Sequence, residues 1–318
     1  MAYLLLVIAL LCLSVKGYCG KKTSTDLRQS TDPMLFNLLR MIFCVVIGLV
    51  LILIEGAGDQ LAIESGMLWI TLGAGVANVA FLIGWILAVR RIPLVTMDVS
   101  LTIGSLLPAV LCLILFDEAI SLSKMIGFAL ILAATVILSG CGKSAGRRCG
   151  FLGVVLAVIA TLGEGLSSFC QQLYKQYYTV DDSRAHGVYY SNAVFQLYTY
   201  VFAGSILLLL FIGAAVYQYR KQEKVPKTQY VKGLFSSCKH PLPYIVVMAI
   251  CLFAGNYLQT AATTVYGMPS QVLYPVIKGG CLVTVNLTAM LFFNEKPTWR
   301  RITGSLVALG GAVLMSVL

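Results

Sequence analysis

The chain has 318 residues, of which 59% are hydrophobic and only 11% are charged, and its formal net charge is +10. Soluble globular domains carry about 25% charged residues, so this composition excludes a soluble fold and makes the lipid bilayer part of the solvent. The positive charge does not indicate nucleic-acid binding, because Lys and Arg are scattered among short loops between apolar segments. We therefore expect no nucleic-acid partner.

Ten apolar segments follow one another along the chain, and a membrane-spanning helix needs about 20 such residues. The runs are continuous, whereas barrel strands alternate polar and apolar residues over about ten positions, so we predict helices. The first segment is not a typical signal peptide, since no basic residue precedes it and no small-residue cleavage motif follows it. The predicted spans are 2–19, 34–55, 67–89, 93–115, 121–140, 150–173, 190–216, 242–265, 270–293 and 299–317.

The second half of the chain resembles the first. Residues 115–139 and 292–316 align without a gap. The matched pairs are Phe116 with Phe293, Glu118 with Glu295, Ser121 with Thr298, Gly127 with Gly304, and Ser139 with Ser316. This spacing predicts that the chain is a duplication of a unit with five spans.

A duplicated unit with an odd number of spans must cross the membrane in opposite orientations. We therefore predict an all-α membrane protein made of two inverted five-helix repeats, residues 1–140 and 150–318, joined by a short basic linker at 141–149. In secondary transporters with this plan, the substrate site lies between the halves near the bilayer midplane.

The loops carry a charge pattern that predicts orientation. Lys and Arg concentrate in the odd-numbered loops and are rare in the even-numbered ones, which places the odd loops in the cytoplasm and both termini outside. The longest polar segment, residues 217–240, fits a loop held at an anionic headgroup surface better than a regulatory or partner-binding site. Most of the cysteines lie inside spans and show no metal-binding spacing.

The paired F-[DN]-E-x₈-G segments, the ten spans and the five-plus-five duplication resemble the drug/metabolite transporter superfamily, specifically its bacterial EamA-type members. The resemblance implies a ten-helix fold with a central cavity, export or exchange of small metabolites, and a bacterial plasma membrane. It does not name a substrate, because members carry amino acids, sugars, drugs or nucleotide-sugars. Eukaryotic relatives are usually drawn with cytoplasmic termini, opposite to the orientation that the basic loops predict here.

Ionisable residues inside the predicted spans are the first candidates for a site. Arg40, Asp98, Glu164 and Lys278 lie within spans, where a charge costs about 2.5–3.5 kcal/mol on insertion scales, and such residues usually face a cavity or each other. Arg40 is about two turns from its loop, so we expect that it can reach the interface by snorkelling.

Glu164 is the strongest single candidate. It lies in mid-span between Gly163 and Gly165. In the four-helix small multidrug resistance relatives, an essential glutamate lies at a similar depth in the first helix. The resemblance therefore implies a carboxylate that exchanges a proton for substrate, although the first repeat has Leu13 at the matching position. The residues alone allow a second role, as the structural partner of Lys278.

Asp98 and Lys278 lie at nearly equivalent depths in the two repeats, which suggests a pair. Lys278 follows Tyr274 by one turn and precedes Gly279 and Gly280, which can interrupt the helix and free backbone groups towards a cavity. We expect that Lys278 either receives an anionic group of the substrate or neutralises Asp98 or Glu164.

Uncharged polar residues complete the predicted site. An amide or phenol within a span serves either as a hydrogen bond between helices or as a ligand contact. The candidates are Asn78, Gln196, Asn256, Gln259 and Tyr274.

The pattern favours a secondary transporter of a small metabolite or drug, with protons as a potential coupling ion. The alternatives are an intramembrane enzyme, for which we find no catalytic motif, and a membrane sensor or scaffold, for which no loop is long enough to hold a soluble domain. No phosphate-binding loop of the GxxxxGK[ST] type occurs, and we expect no cofactor or metal.

Overall fold

The computed structural model describes residues 2–24, 32–89, 91–92, 94–116, 121–139, 150–179, 189–221, 241–269, 272–274, 276–281, 283–284 and 299–317. These ranges form helices and short connections, and no β-strand occurs within them. The helices are α1 Ala2–Ser24, α2 Asp32–Glu55, α3 Ser65–Val89, α4 Leu94–Gly104, α5 Leu106–Phe116, α6 Leu122–Ser139, α7 Phe151–Tyr178, α8 Asn192–Lys221, α9 Leu242–Thr264 and α10 Trp299–Val317. A 3₁₀ turn, Gly58–Leu61, follows α2, and helical residues also occur between 272 and 284, here called the 272–284 segment.

Six of these helices are long and apolar enough to cross a membrane, namely α1, α2, α3, α7, α8 and α9. Large apolar side chains cover the outside of the bundle, among them Leu53 at 79% exposure and Phe151 at 85%. In water such a surface would be strongly unfavourable, whereas lipid accommodates it. The chain is therefore a membrane protein whose described part is helical.

The fourth predicted span is broken rather than continuous. Residues 93–115 were expected to form one helix, but α4 ends at Gly104 and α5 begins at Leu106. Pro108 has no amide hydrogen to donate to the carbonyl of Gly104, so the regular pattern of helical hydrogen bonds is interrupted here. The hydroxyl of Ser105 donates to the Thr102 carbonyl over 2.7 Å, which satisfies one carbonyl at the break.

The helices pack in pairs, and these contacts define the interior of the bundle. Helix α3 packs along α7 and also contacts α8, while α9 packs along α1 and also contacts α2. Helix α2 packs against α8, and α6 packs against α10. The core between α2, α3, α8 and α9 contains Met41, Leu82, Tyr200 and Phe253, all nearly inaccessible to solvent.

Candidate functional site

A cavity of about 190 Å³ lies within the bundle, walled by α1, α2, α3, α4, α7, α9 and the 272–284 segment. Much of its wall is apolar, including Phe81, Leu82, Trp85 and Leu252. The polar residues of the wall include six that the sequence singled out: Asn78, Glu164, Asn256, Gln259, Tyr274 and Lys278. The geometry therefore brings together most of the candidate residues on one internal surface.

Glu164 and Lys278 form an ion pair in this wall. The Nζ atom of Lys278 donates to the Oε1 atom of Glu164. Each side chain is about one-fifth exposed, at 22% for Lys278 and 18% for Glu164, and both line the cavity. The Oε2 atom of Glu164 is buried and has no hydrogen-bond partner within the described part of the chain, so the carboxylate keeps an acceptor for a proton or a ligand.

The two glycines beside Glu164 explain how α7 carries a carboxylate into the interior. A Cβ atom on Gly163 would lie 2.6 Å from the Ala77 carbonyl oxygen of α3, and one on Gly165 would lie 2.8 Å from the Gly104 carbonyl oxygen. Real Cβ atoms do not approach backbone atoms this closely. The missing side chains therefore let α7 press against α3 on one side and against the α4–α5 break on the other, with Glu164 between them.

Tyr274 anchors the 272–284 segment to α7. Its hydroxyl donates to the Ser168 carbonyl over 2.9 Å and accepts from Nε2 of Gln172 over 3.0 Å. Tyr274 and Lys278 both line the cavity, and Lys278 contacts the same helix α7 through Glu164. The tyrosine therefore helps to hold the lysine beside Glu164.

The remaining amide candidates divide between the cavity and the helix contacts. Asn256 donates from Nδ2 to the Tyr200 hydroxyl over 2.8 Å, and Gln259 donates from Nε2 to the Gly255 carbonyl over 3.1 Å. Gln196 is buried away from the cavity wall and donates from Nε2 to the Thr260 hydroxyl over 3.1 Å, a bond between α8 and α9. The side chain of Asp98, in α4, lies outside the described residues.

Two further cations lie in the wall. The sequence left Arg40 open between snorkelling to the interface and a role in the site. In the structure it is only 5% exposed, lines the cavity and donates to Oδ1 of Asn37 over 2.7 Å. Lys16 lines the same cavity, with Nζ 5.7 Å from the centroid of the Phe81 ring. The available signal for Lys16 was its position inside the first predicted span, a place where lysine is rare.

The described residues contain no group of three or more His, Cys, Asp or Glu side chains that could hold a metal ion.

Comparison with known proteins gives a likeness of fold. No protein family model matches the chain, and no curated protein matches it. A solved structure described only as "Crystal structure of protein" superposes with a TM-score of 0.70 over 99% of this chain and 97% of the other, at 15% identity. At that identity the similarity shows a shared fold and carries no information about activity.

Proposed function

We propose that the chain is a secondary transporter of a small metabolite or drug that works by alternating access in the plasma membrane of a bacterium. The observation that carries this proposal is the ion pair of Glu164 and Lys278, exposed to a cavity inside a bundle of membrane helices. Intramembrane charges that face a cavity and pair with each other are typical of substrate and ion pathways.

The pairing of the helices supports two inverted five-helix repeats of the EamA type. If α1 and α7 begin the two repeats, then the first helix of each packs along the third helix of the other, as α1 with α9 and α7 with α3. The contacts of α2 with α8 and of α6 with α10 join equivalent helices. A pseudo-twofold axis between the repeats produces this reciprocal pattern.

The ion pair provides a means of coupling. In the empty cavity Glu164 and Lys278 neutralise each other. If one of them lost its partner, the charge that remained inside the bundle would be unfavourable by several kcal/mol. A proton on Glu164 releases Lys278, and an anionic group on Lys278 releases Glu164 to take a proton. Binding of substrate and binding of a proton are therefore linked, as proton-coupled transport or exchange requires.

Metabolite profiling tests this function. Cells that express the protein are compared with cells that lack it and with cells that express Glu164→Gln, which keeps the shape of the side chain and removes its titration. Leu162→Ala is the matched control, because Leu162 is on the same helix and is 48% exposed on the outside of the bundle.

Relative to cells that lack the protein, cells that express the parent protein or Leu162→Ala should distribute a set of small molecules differently between cell and medium. Cells that express Glu164→Gln should not show this change. Equal membrane levels of the three proteins are checked by immunoblot. The proposed transport function is wrong if the parent protein is fully expressed and the distribution of every detected metabolite equals that in cells that lack the protein. If Glu164→Gln transports with unchanged pH dependence, Glu164 does not couple.

A further inference from the structure

Among the described residues of the cavity wall, cations outnumber carboxylates. Lys16, Arg40 and Lys278 line the cavity, and Glu164 is the one carboxylate among its described lining residues. The ion pair accounts for Lys278 and Glu164. Two further cations, both from the first two helices, therefore face the same small space.

Arg40 is held in place by a hydrogen bond, and no carboxylate pairs with it among the described residues. Its guanidinium donates one bond to the neutral amide of Asn37. Its Nε is buried without a hydrogen-bond partner in the described part of the chain, and the whole side chain is 5% exposed. A buried guanidinium with an unused donor is a strong site for an oxyanion, because charge-assisted bonds to carboxylate or phosphate are about twice as strong as neutral ones.

Lys16 adds a second positive charge near Arg40. It interacts electrostatically with Arg40 and with Lys278, two like charges, as well as with Glu164. Within the described residues the ammonium group contacts the face of Phe81, which stabilises a cation only modestly. An anion bound between Lys16 and Arg40 would relieve the repulsion between them.

We propose that the cavity binds a small organic anion. Its acidic group, a carboxylate or a phosphate, is held by Lys16 and Arg40, and its apolar body lies against Phe81, Leu82 and Trp85 in the same wall. The volume of the cavity limits the size of the ligand. A cavity of about 150 Å³ accommodates benzene, so a cavity of about 190 Å³ suits a molecule somewhat larger than benzene. This assignment of a substrate class rests on the proposed transport function.

Equilibrium binding to the purified protein in lipid nanodiscs tests the assignment without any need for transport. The probes are benzoate and phenyl phosphate as anions, benzamide as the neutral counterpart of benzoate, and benzamidine as the cationic one. Benzoate, benzamide and benzamidine share one size and shape and differ in charge. Affinity is measured by titration calorimetry at constant ionic strength, with the thermal midpoint as a second readout.

We expect at least one of the two anions to bind at least about tenfold more tightly than benzamide, and benzamidine not to bind, since a hydrogen bond to a charged group contributes about 1.5–3 kcal/mol. Lys16→Gln and Arg40→Gln should each weaken anion binding by about tenfold or more on the same basis. Lys22→Gln is the matched control, because Lys22 lies at the exposed end of α1 and is not part of the cavity wall. It should bind the anion as the parent protein does.

The variants also answer the question of folding. The thermal midpoint without ligand identifies a variant that fails to fold, and Arg40→Lys, which keeps the charge, should retain more anion affinity than Arg40→Gln. The proposal is overturned if neither anion binds better than benzamide, if benzamidine binds as well as the anions, or if both glutamine variants fold and keep the parent affinity.

Failure of this inference is distinguishable from failure of the transport function. Anion binding that depends on Lys16 and Arg40, together with unchanged metabolite distributions, supports the anion site and contradicts transport. Transport of neutral or cationic metabolites, together with no preference for benzoate or phenyl phosphate, supports transport and contradicts the anion site.

Discussion

Lys278 and Glu164 occupy a part of the protein where neither charge is tolerated alone. Both side chains are more than three-quarters buried, in a wall that is apolar over much of its area. We therefore expect that removing one member of the pair destabilises the protein, because the other charge is then buried without a partner.

Lys278→Ala should lower the free energy of unfolding by about 3 kcal/mol, the lower end of the range for a broken buried pair. The double variant Lys278→Ala with Glu164→Gln should recover most of this loss and remain inactive in transport. The measurement is the thermal midpoint of the purified proteins. Combining Lys278→Ala with Glu64→Gln, which alters an exposed acid at the start of α3, should recover nothing. Failure of Glu164→Gln to restore stability would show that the pair does not control it.

The sequence identified Glu164 and Lys278 because charges inside apolar spans are rare and costly. It could not choose between Asp98 and Glu164 as the partner of Lys278, since depth along one helix does not say which neighbouring helix a side chain faces. The role of Arg40 was left open for the same reason. Its distance from the loop allowed snorkelling, but its side chain lies on the face of α2 that borders the cavity.

At the scale of helices, close approach between α3 and α7 positions the carboxylate. Glycines on both helices make it possible, since a Cβ atom on Gly84 of α3 would lie 2.9 Å from the Ala160 nitrogen of α7. Small residues of this kind are the usual means of close packing between membrane helices. The placement of Glu164 thus depends on residues that never touch a ligand.

Gly163→Ala should therefore destabilise the protein by about 1–3 kcal/mol, as overpacking of a tight contact does. It should also weaken transport, because α7 must shift away from α3 and carry Glu164 with it. Gly213→Ala in α8 is the matched control, since nothing lies within 4 Å of a Cβ atom there. The measurement compares the thermal midpoints of the two variants. If both variants have the same effect, the contact between α3 and α7 is not tight in solution.

Hydrophobic runs predicted the long helices well, because length and composition suffice where lipid is the solvent. Six predicted spans correspond to helices long enough to cross a membrane. The break at Ser105 was not predicted, although Pro108 was a visible signal. Proline is tolerated within membrane helices when neighbouring groups satisfy the freed carbonyl, so the sequence alone did not decide between a kink and a break.

At the scale of the whole molecule, the two ends of the bundle differ. The cavity reaches towards the end where α1 finishes and α9 begins, since a Cβ atom on Gly20 would contact both Met248 and Trp85 at 3.3 Å, and Trp85 and Met248 line the cavity. Helices α1, α3 and α8 end on this side. The sequence that follows them, residues 25–31, 90–93 and 222–240, contains one, two and four Lys or Arg residues. If the charge rule holds, the cavity extends towards the cytoplasm.

At the opposite end, the described parts of α7, α8 and the segment after α2 are in close contact. Tyr174 stacks on Phe195 with ring centroids 4.5 Å apart, and both rings are almost completely buried. Hydrogen bonds also tie the segment after α2 to the helices of the second half. The backbone N–H of Glu64 donates to the Tyr190 hydroxyl over 2.9 Å, and that of Ser191 donates to Oε1 of Gln60 over 2.6 Å.

Two tyrosine hydroxyls complete the closure, and they allow a direct test of alternating access. Tyr257 donates to Oε1 of Glu55 over 2.7 Å, and Tyr198 donates to the Leu61 carbonyl. Removing both hydroxyls should weaken the closed end by about 1 kcal/mol for each bond, which for the two bonds together corresponds to about a thirtyfold increase in opening. The double variant Tyr257→Phe with Tyr198→Phe should therefore expose the cavity from the side of loop 56–64.

The readout is the rate at which a membrane-impermeant maleimide, added to that side of oriented vesicles, labels a single cysteine in place of Gln259. Gln259 lies in the cavity wall and is 7% exposed, and the other cysteines are removed. Tyr266→Phe serves as the matched control, because Tyr266 is 46% exposed and outside the closing contacts. Labelling should rise by about the same factor, roughly thirtyfold, in the double variant, because the bonds it lacks oppose opening. It should stay at the parent rate in Tyr266→Phe. An unchanged rate in the double variant would show that these hydrogen bonds do not hold the end closed, and the barrier would then lie in the stacked core of Tyr174 and Phe195.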